Sequence, residues 1–137
     1  MIQSKMNLRI LDETEDLLLG YEYEEVYLVD KKKNESLYIG YLPGDPSFGL
    51  ISKTGDWCLA GGIWCILWKK DTGALEINGP ELCWVEKVRQ VSHTRVELLI
   101  DPWSASGAIW QLDMDTMKKQ KLRDYRLDGE YTEDYQW

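Results

Sequence analysis

Short apolar runs, each closed by a cluster of turn formers, recur along the whole chain. "EEVYLVD" (24–30) is rich in strand formers, "KKKN" follows as a turn, and "SLYIGYL" (36–42) completes a hairpin. "LPGDPSFG" (42–49) holds two prolines and two glycines and reads as a loop. "LIS" and "WCLAGG" pair through Thr54-Gly55-Asp56, "IWCILWK" (63–69) extends the sheet, and "KDTG" turns into "ALEI". "TRVELLI" (94–100) is a strand, "DPWSASG" (101–107) a loop, and "AIWQLDM" with "MKKQKL" a last hairpin.

Two segments are less regular. In "ELCWVEKVRQVSH", Leu82, Val85, Val88 and Val91 fall at helical spacing, with Asn78 as a cap and Pro80 suited to a first turn. The Val and Trp content favours a strand instead. In "LDETEDLLLG", Asp12 and Glu15 stand at capping-box spacing and Gly20 is a natural stop, so a helical turn is expected. "ILWKKDTGAL" and "IWQLDMDTMKKQKL" both end a strand in an Asp-Thr turn, and Asp71 and Asp115 stand 44 positions apart. That is the length of a propeller blade, but three blades do not close a ring of at least about four. The expectation is therefore a mainly β fold. Antiparallel hairpins form a sandwich or a partly open barrel or propeller-like sheet, with at most one or two short helices, in a single domain over 1–137.

The densest apolar stretch is "GDWCLAGGIWCILWKKDTG" (55–73). Strand alternation puts Trp57 and Leu59 on one face and Cys58 and Ala60 on the other. In the next strand Trp64, Ile66 and Trp68 oppose Ile63, Cys65 and Leu67. Apolar residues on both faces predict a central strand covered on both sides, with Gly61-Gly62 as a tight turn or bulge.

Charge narrows the functional classes. The formal net charge is −8, and the lysine runs 31–33 and 118–121 read as turn and edge-strand charges, so a nucleic-acid partner is not expected. Acids concentrate at the ends: seven in residues 1–25 against Lys5 and Arg9, and four in 127–137 with no base. Such ends are either loose, solvated edge elements or a field that steers a basic partner. "MIQSKMNLRI" has no signal-peptide pattern, and the apolar run from Trp57 to Trp68 is shorter than the about 20 residues of a membrane helix. A cytoplasmic protein with no membrane partner is expected.

Catalytic signatures are lacking. The three cysteines, Cys58, Cys65 and Cys83, form no C-x-x-C, and with His93 as the only histidine they match no zinc spacing. On a hairpin Cys58 and Cys65 could face each other, but each cysteine reads as a small buried hydrophobe. His93, in "QVSHTRV", reads as a turn residue. No cofactor, metal or enzymatic activity is expected.

The stretch "YIGYLPGDPSFGLISKTGDWCLAGGIWCILW" (38–68) resembles the core of small acidic β-proteins of bacteria, and "IWQLDMDT" is similar to their C-terminal hairpin. Such proteins are suspected immunity proteins of polymorphic or contact-dependent toxin systems. The resemblance implies binding without catalysis: the chain would occlude the active site or an exosite of a cognate toxin domain. A basic nuclease would suit an acidic inhibitor that mimics its substrate's charge and associates fast. Contacts would centre on an exposed aromatic ringed by acids. Trp103, beside Asp101, is the first candidate, although it could equally plug the end of a sheet. Asp45 in the "GDP" loop and Glu22, Glu24 and Glu25 follow. The alternatives are a carbohydrate- or ligand-binding β-module using some of the seven tryptophans, and a regulatory β-domain.

Overall fold

The computed structural model describes residues 7–77, 79–132 and 134–137. Most of the segment read for an export signal, the cap residue Asn78, and Glu133 of the acidic C-terminal end lie outside the described residues. The rest forms three four-stranded antiparallel meanders. The first contains β1 (Arg9–Glu13), β2 (Leu17–Glu22), β3 (Glu25–Asp30) and β4 (Glu35–Tyr41). The second contains β5 (Phe48–Ile51), β6 (Trp57–Gly61), β7 (Cys65–Lys69) and β8 (Gly73–Ile77). The third contains β9 (Val85–Gln90), β10 (Arg95–Ile100), β11 (Ala108–Asp113) and β12 (Lys119–Asp124). The fold is mainly β with no closed barrel, and the sheets stack as layers with the second in the middle. The first strands β1, β5 and β9 lie side by side, and β4 lies against β8. Among the described residues no helix is long and apolar enough to cross a membrane.

The alternation in β6 and β7 explains the layering. Trp57, Leu59, Cys65 and Leu67 point into a core shared with Val96, Leu98 and Leu112 of the third sheet. Cys58, Ala60 and Ile66 point the other way, into a core with Leu19, Val26, Leu28 and Ile39 of the first sheet. Cys58 and Cys65 therefore face opposite layers and cannot meet.

The segment read as an N-terminal helical turn is instead the β1–β2 hairpin. Thr14 closes it: the Leu17 amide donates to Thr14 Oγ1 at 3.1 Å, and the Thr14 amide to the Leu17 carbonyl at 2.8 Å. Asp12 caps no helix. Its Oδ2 accepts from the Ile51 amide at 2.7 Å and ties β1 to β5. Gly20 stops nothing either; it lies within β2, where a Cβ would come 2.8 Å from the Arg9 carbonyl oxygen. Local cap signals lost to the burial of Leu19, with Leu17 and Tyr21 alongside it.

The ambiguous stretch resolves into a 3₁₀ turn, Pro80–Leu82, followed by strand β9. Its helix-like spacing has a β origin. A bulge shifts the register so that Ile100 pairs with Val85 while Leu99 pairs with Lys87. Val85 and Val88 thereby both reach the core between the second and third sheets, which Leu82 enters from the 3₁₀ turn.

The repetition at Asp71 and Asp115 is structural, and it has a third copy. Asn34, Gly73 and Met117 all have left-handed backbones, with φ of 52°, 86° and 61°. Each sits four positions past the last residue of its sheet's third strand (Asp30, Lys69 and Asp113). In two copies the strand-end aspartate organises the turn. Asp30 Oδ1 accepts from the amides of Lys32 and Lys33 at 3.0 and 3.1 Å. Asp113 Oδ1 accepts from those of Asp115 and Thr116 at 2.8 and 3.1 Å.

Beyond β12 the described residues of the acidic C-terminal end form no strand or helix but are docked. The Tyr135 hydroxyl donates to Glu86 Oε2 at 2.9 Å, Lys87 Nζ sits 4.3 Å from the centre of the Tyr135 ring, and Arg89 stacks 4.0 Å from that of Trp137.

Candidate functional site

A chain of backbone hydrogen bonds aligns one end of all three sheets. The Leu42 amide donates to the Glu24 carbonyl (2.9 Å), Ser47 to Gly61 (2.7 Å), Val85 to Gly62 (2.8 Å) and Asp101 to Trp84 (3.0 Å). This end collects the β2–β3, β6–β7 and β10–β11 turns and both connections between sheets. It carries every residue singled out in the sequence as a binding candidate. The lysine run 31–33 lies at the opposite end, where Lys32 pairs with Asp16 at 3.3 Å and Lys31 with Glu13. The two ends thus differ in electrostatic character.

Glu22, Glu24 and Glu25 flank Tyr23, which is 85% exposed. Glu24 is bound into the end. Its carboxylate accepts from the Tyr41 hydroxyl at 3.1 Å and from the Gly44 amide. The hydrogen bond to Glu24, and then its charge, hold the Tyr41 hydroxyl above the usual phenol range. Glu22 accepts from the Asn7 amide at 3.2 Å, and Glu25 from the Tyr27 hydroxyl at 3.3 Å. Asp45 is exposed in the loop that Glu24 anchors.

Trp103 is not the exposed aromatic of this end. It is half-buried beneath the C-terminal segment, 5.3 Å from the Tyr131 ring and 6.4 Å from the Tyr135 ring. Its indole N–H is enclosed without an acceptor among the described residues. The exposed indole is that of Trp84, at 60%. Sequence reasoning missed it because Trp84 sits inside a stretch whose apolar spacing pointed to regular structure. No motif marks a residue that leaves the strand by turning left-handed.

That turn is the clearest local feature of the site. Trp84 has φ 59° and its neighbour Asp101 φ 44°. Left-handed backbone at a bulky residue costs about 1–2 kcal/mol, and a ring left in solvent recovers little of it by burial. The surroundings impose the conformation: the Trp84 amide donates to the Ile63 carbonyl at 3.1 Å, and its carbonyl accepts from Asp101 at 3.0 Å. The ring is thereby presented beside Asp101 on a cleft of about 380 Å³, also lined by Glu81, Ser106, Trp110 and Lys121. Clefts of about 540 and 510 Å³ lie elsewhere, but their indoles, Trp137 and Trp68, are half-buried.

Cys83 lines this cleft, half-buried, with its thiol 3.3 Å from the Gly79 carbonyl; the other two cysteines and the histidine lie apart from it. Burial pushes the Cys58 and Cys65 thiols up to about 12, which removes the thiolate at neutral pH. His93 is a turn residue of the opposite end; its Nε2 is 3.9 Å from Asp56, and its carbonyl accepts from the Trp57 indole at 3.1 Å. Among the described residues no group of three or more His, Cys, Asp or Glu side chains is placed to hold a metal ion.

No family model matches the chain, and no curated protein matches it. Among solved structures it is similar to the crystal structure of the tricorn protease, at 17% identity and a TM-score of 0.43. The match covers 88% of this chain and spans 14% of that one. A superposition this loose carries no activity across.

Proposed function

We propose that this chain is a non-catalytic protein-binding domain whose acidic, aromatic end docks onto a basic partner. In the finer form of this reading it is an immunity protein that occludes the active site or exosite of a cognate toxin in the cytoplasm. One observation carries the reading: Trp84, mostly exposed, is held in a strained conformation beside Asp101, at the end that also gathers Glu22, Glu24, Glu25 and Asp45. An exposed indole on a fixed backbone with an acidic surround has the anatomy of an interface anchor, because the backbone part of its ordering cost is met before binding. The resemblance of 38–68 to suspected immunity proteins and the net charge of −8 support the same reading.

The test is co-purification with the product of the adjacent open reading frame. Capture is expected, with an association rate that falls as ionic strength rises. Trp84→Gly should weaken it at least ~30-fold, the loss expected for an anchoring aromatic. Glycine accepts the left-handed backbone, so that variant should remain folded. A wild-type protein that captures no neighbouring product would end the immunity reading.

A further inference from the structure

We propose that the cleft between Trp84 and Asp101 receives an arginine side chain of the partner protein, its guanidinium stacked on the indole and paired with the Asp101 carboxylate. The inference rests on the protein-binding reading above and adds the chemistry that the partner must present.

Strain is the first observation. Five non-glycine residues among those described have positive φ. Asn34 and Met117 occupy the repeated turn position, and Tyr23 sits in the short β2–β3 turn, so hairpin geometry explains all three. Trp84 and Asp101 lie in longer connections and are joined to each other by a 3.0 Å hydrogen bond. Two strained residues so coupled fix the backbones from which an indole and a carboxylate enter one cleft.

Charge is the second. The other ionic groups around the cleft are already paired. Glu81 binds Lys119 at 2.9 Å, a hydrogen bond that lowers its pKa, and Lys121 binds Asp124 at 2.5 Å. Arg126 also reaches Asp124, at 3.2 Å. Among the described residues the Asp101 carboxylate has neither an ion pair nor a hydrogen bond, so it is the carboxylate of the cleft left open to a cation.

Shape selects the kind of cation. Trp84 offers a flat exposed face, and the cleft continues over Trp110, Ile100 and Pro80, apolar walls for a methylene stem. A planar guanidinium stacks on an indole while its fork engages a carboxylate. An ammonium is a strongly hydrated point charge and uses neither feature as well.

The full chain, ¹⁵N-labelled, would be titrated with N-acetyl-arginine amide and with its neutral isostere N-acetyl-citrulline amide while indole and backbone resonances are followed. Arginine should shift the resonances of Trp84, Asp101 and Trp110 saturably. Citrulline should shift them at least tenfold more weakly. Asp101→Asn should weaken the arginine effect at least tenfold; asparagine tolerates left-handed backbone, and unchanged shifts elsewhere would confirm the fold. Equal responses to arginine and citrulline, responses confined to another surface, or an unaffected Asp101→Asn variant would each overturn the proposal.

Its failure separates from that of the broader reading. If a captured partner binds Asp101→Asn as tightly as wild type, the arginine site falls and protein binding stands. If arginine titrates the cleft but no neighbouring product is captured, the site stands and the immunity reading falls.

Discussion

Cys58 and Cys65 lie on adjacent strands yet point into different cores, and burial raises both thiols to about 12. Cys83 lies just before the strained Trp84, half-buried, with its thiol 3.3 Å from the Gly79 carbonyl. Native protein treated with iodoacetamide should therefore take one label, at Cys83. The other two sites should react only as fast as the protein opens. Mass spectrometry of the time course checks this; labelling of Cys58 or Cys65 at the Cys83 rate would contradict the layering. The buried-hydrophobe role was legible from residue type for these two, and alternation placed them correctly. The exposure of Trp84 was not legible, because a single left-handed residue leaves no periodic trace.

At the scale of elements, the third-to-fourth-strand turn is the repeating unit. Gly73 holds its left-handed position in open space, with no atom within 4 Å of where a Cβ would be. Gly73→Ala should thus lose about 1 kcal/mol by backbone conformation alone. Denaturant unfolding would measure it, and an unchanged midpoint would refute the shared turn geometry. The Asp-Thr resemblance between 69–73 and 113–117 was visible in the sequence. The first copy was hidden because its turn reads Lys-Lys-Lys-Asn, which keeps the backbone and changes the side chains. The β1–β2 hairpin was misread for a related reason: Asp12, Glu15 and Gly20 satisfy local helix rules, while the contact that decides the matter, Asp12 with Ile51, is 39 positions away.

For the whole molecule, the second sheet is common to both cores. Ile66 and Leu67 are adjacent, both fully buried, and face opposite layers. Ile66→Ala and Leu67→Ala should each cost about 2–5 kcal/mol. Each should shift a single cooperative transition, because neither outer sheet keeps its cover once the middle one opens. A biphasic curve for either variant would show that one outer sheet folds independently.

The pattern of apolar runs and turns determined that this chain is a series of antiparallel hairpins, and the two-faced run at 63–68 determined that its strand is covered on both sides. These are consequences of period and residue type, which act over a few positions. Only the tertiary structure decided that every turn between second and third strands meets both inter-sheet connections at one end. The same structure half-buries Trp103 beneath the C-terminal segment and leaves Trp84 in solvent beside Asp101. Those outcomes depend on hydrogen bonds such as Ser47 to Gly61 and Asp101 to Trp84, made between segments far apart in the chain. Local propensity does not encode them, because they form only once the buried faces of the three sheets have selected their layers.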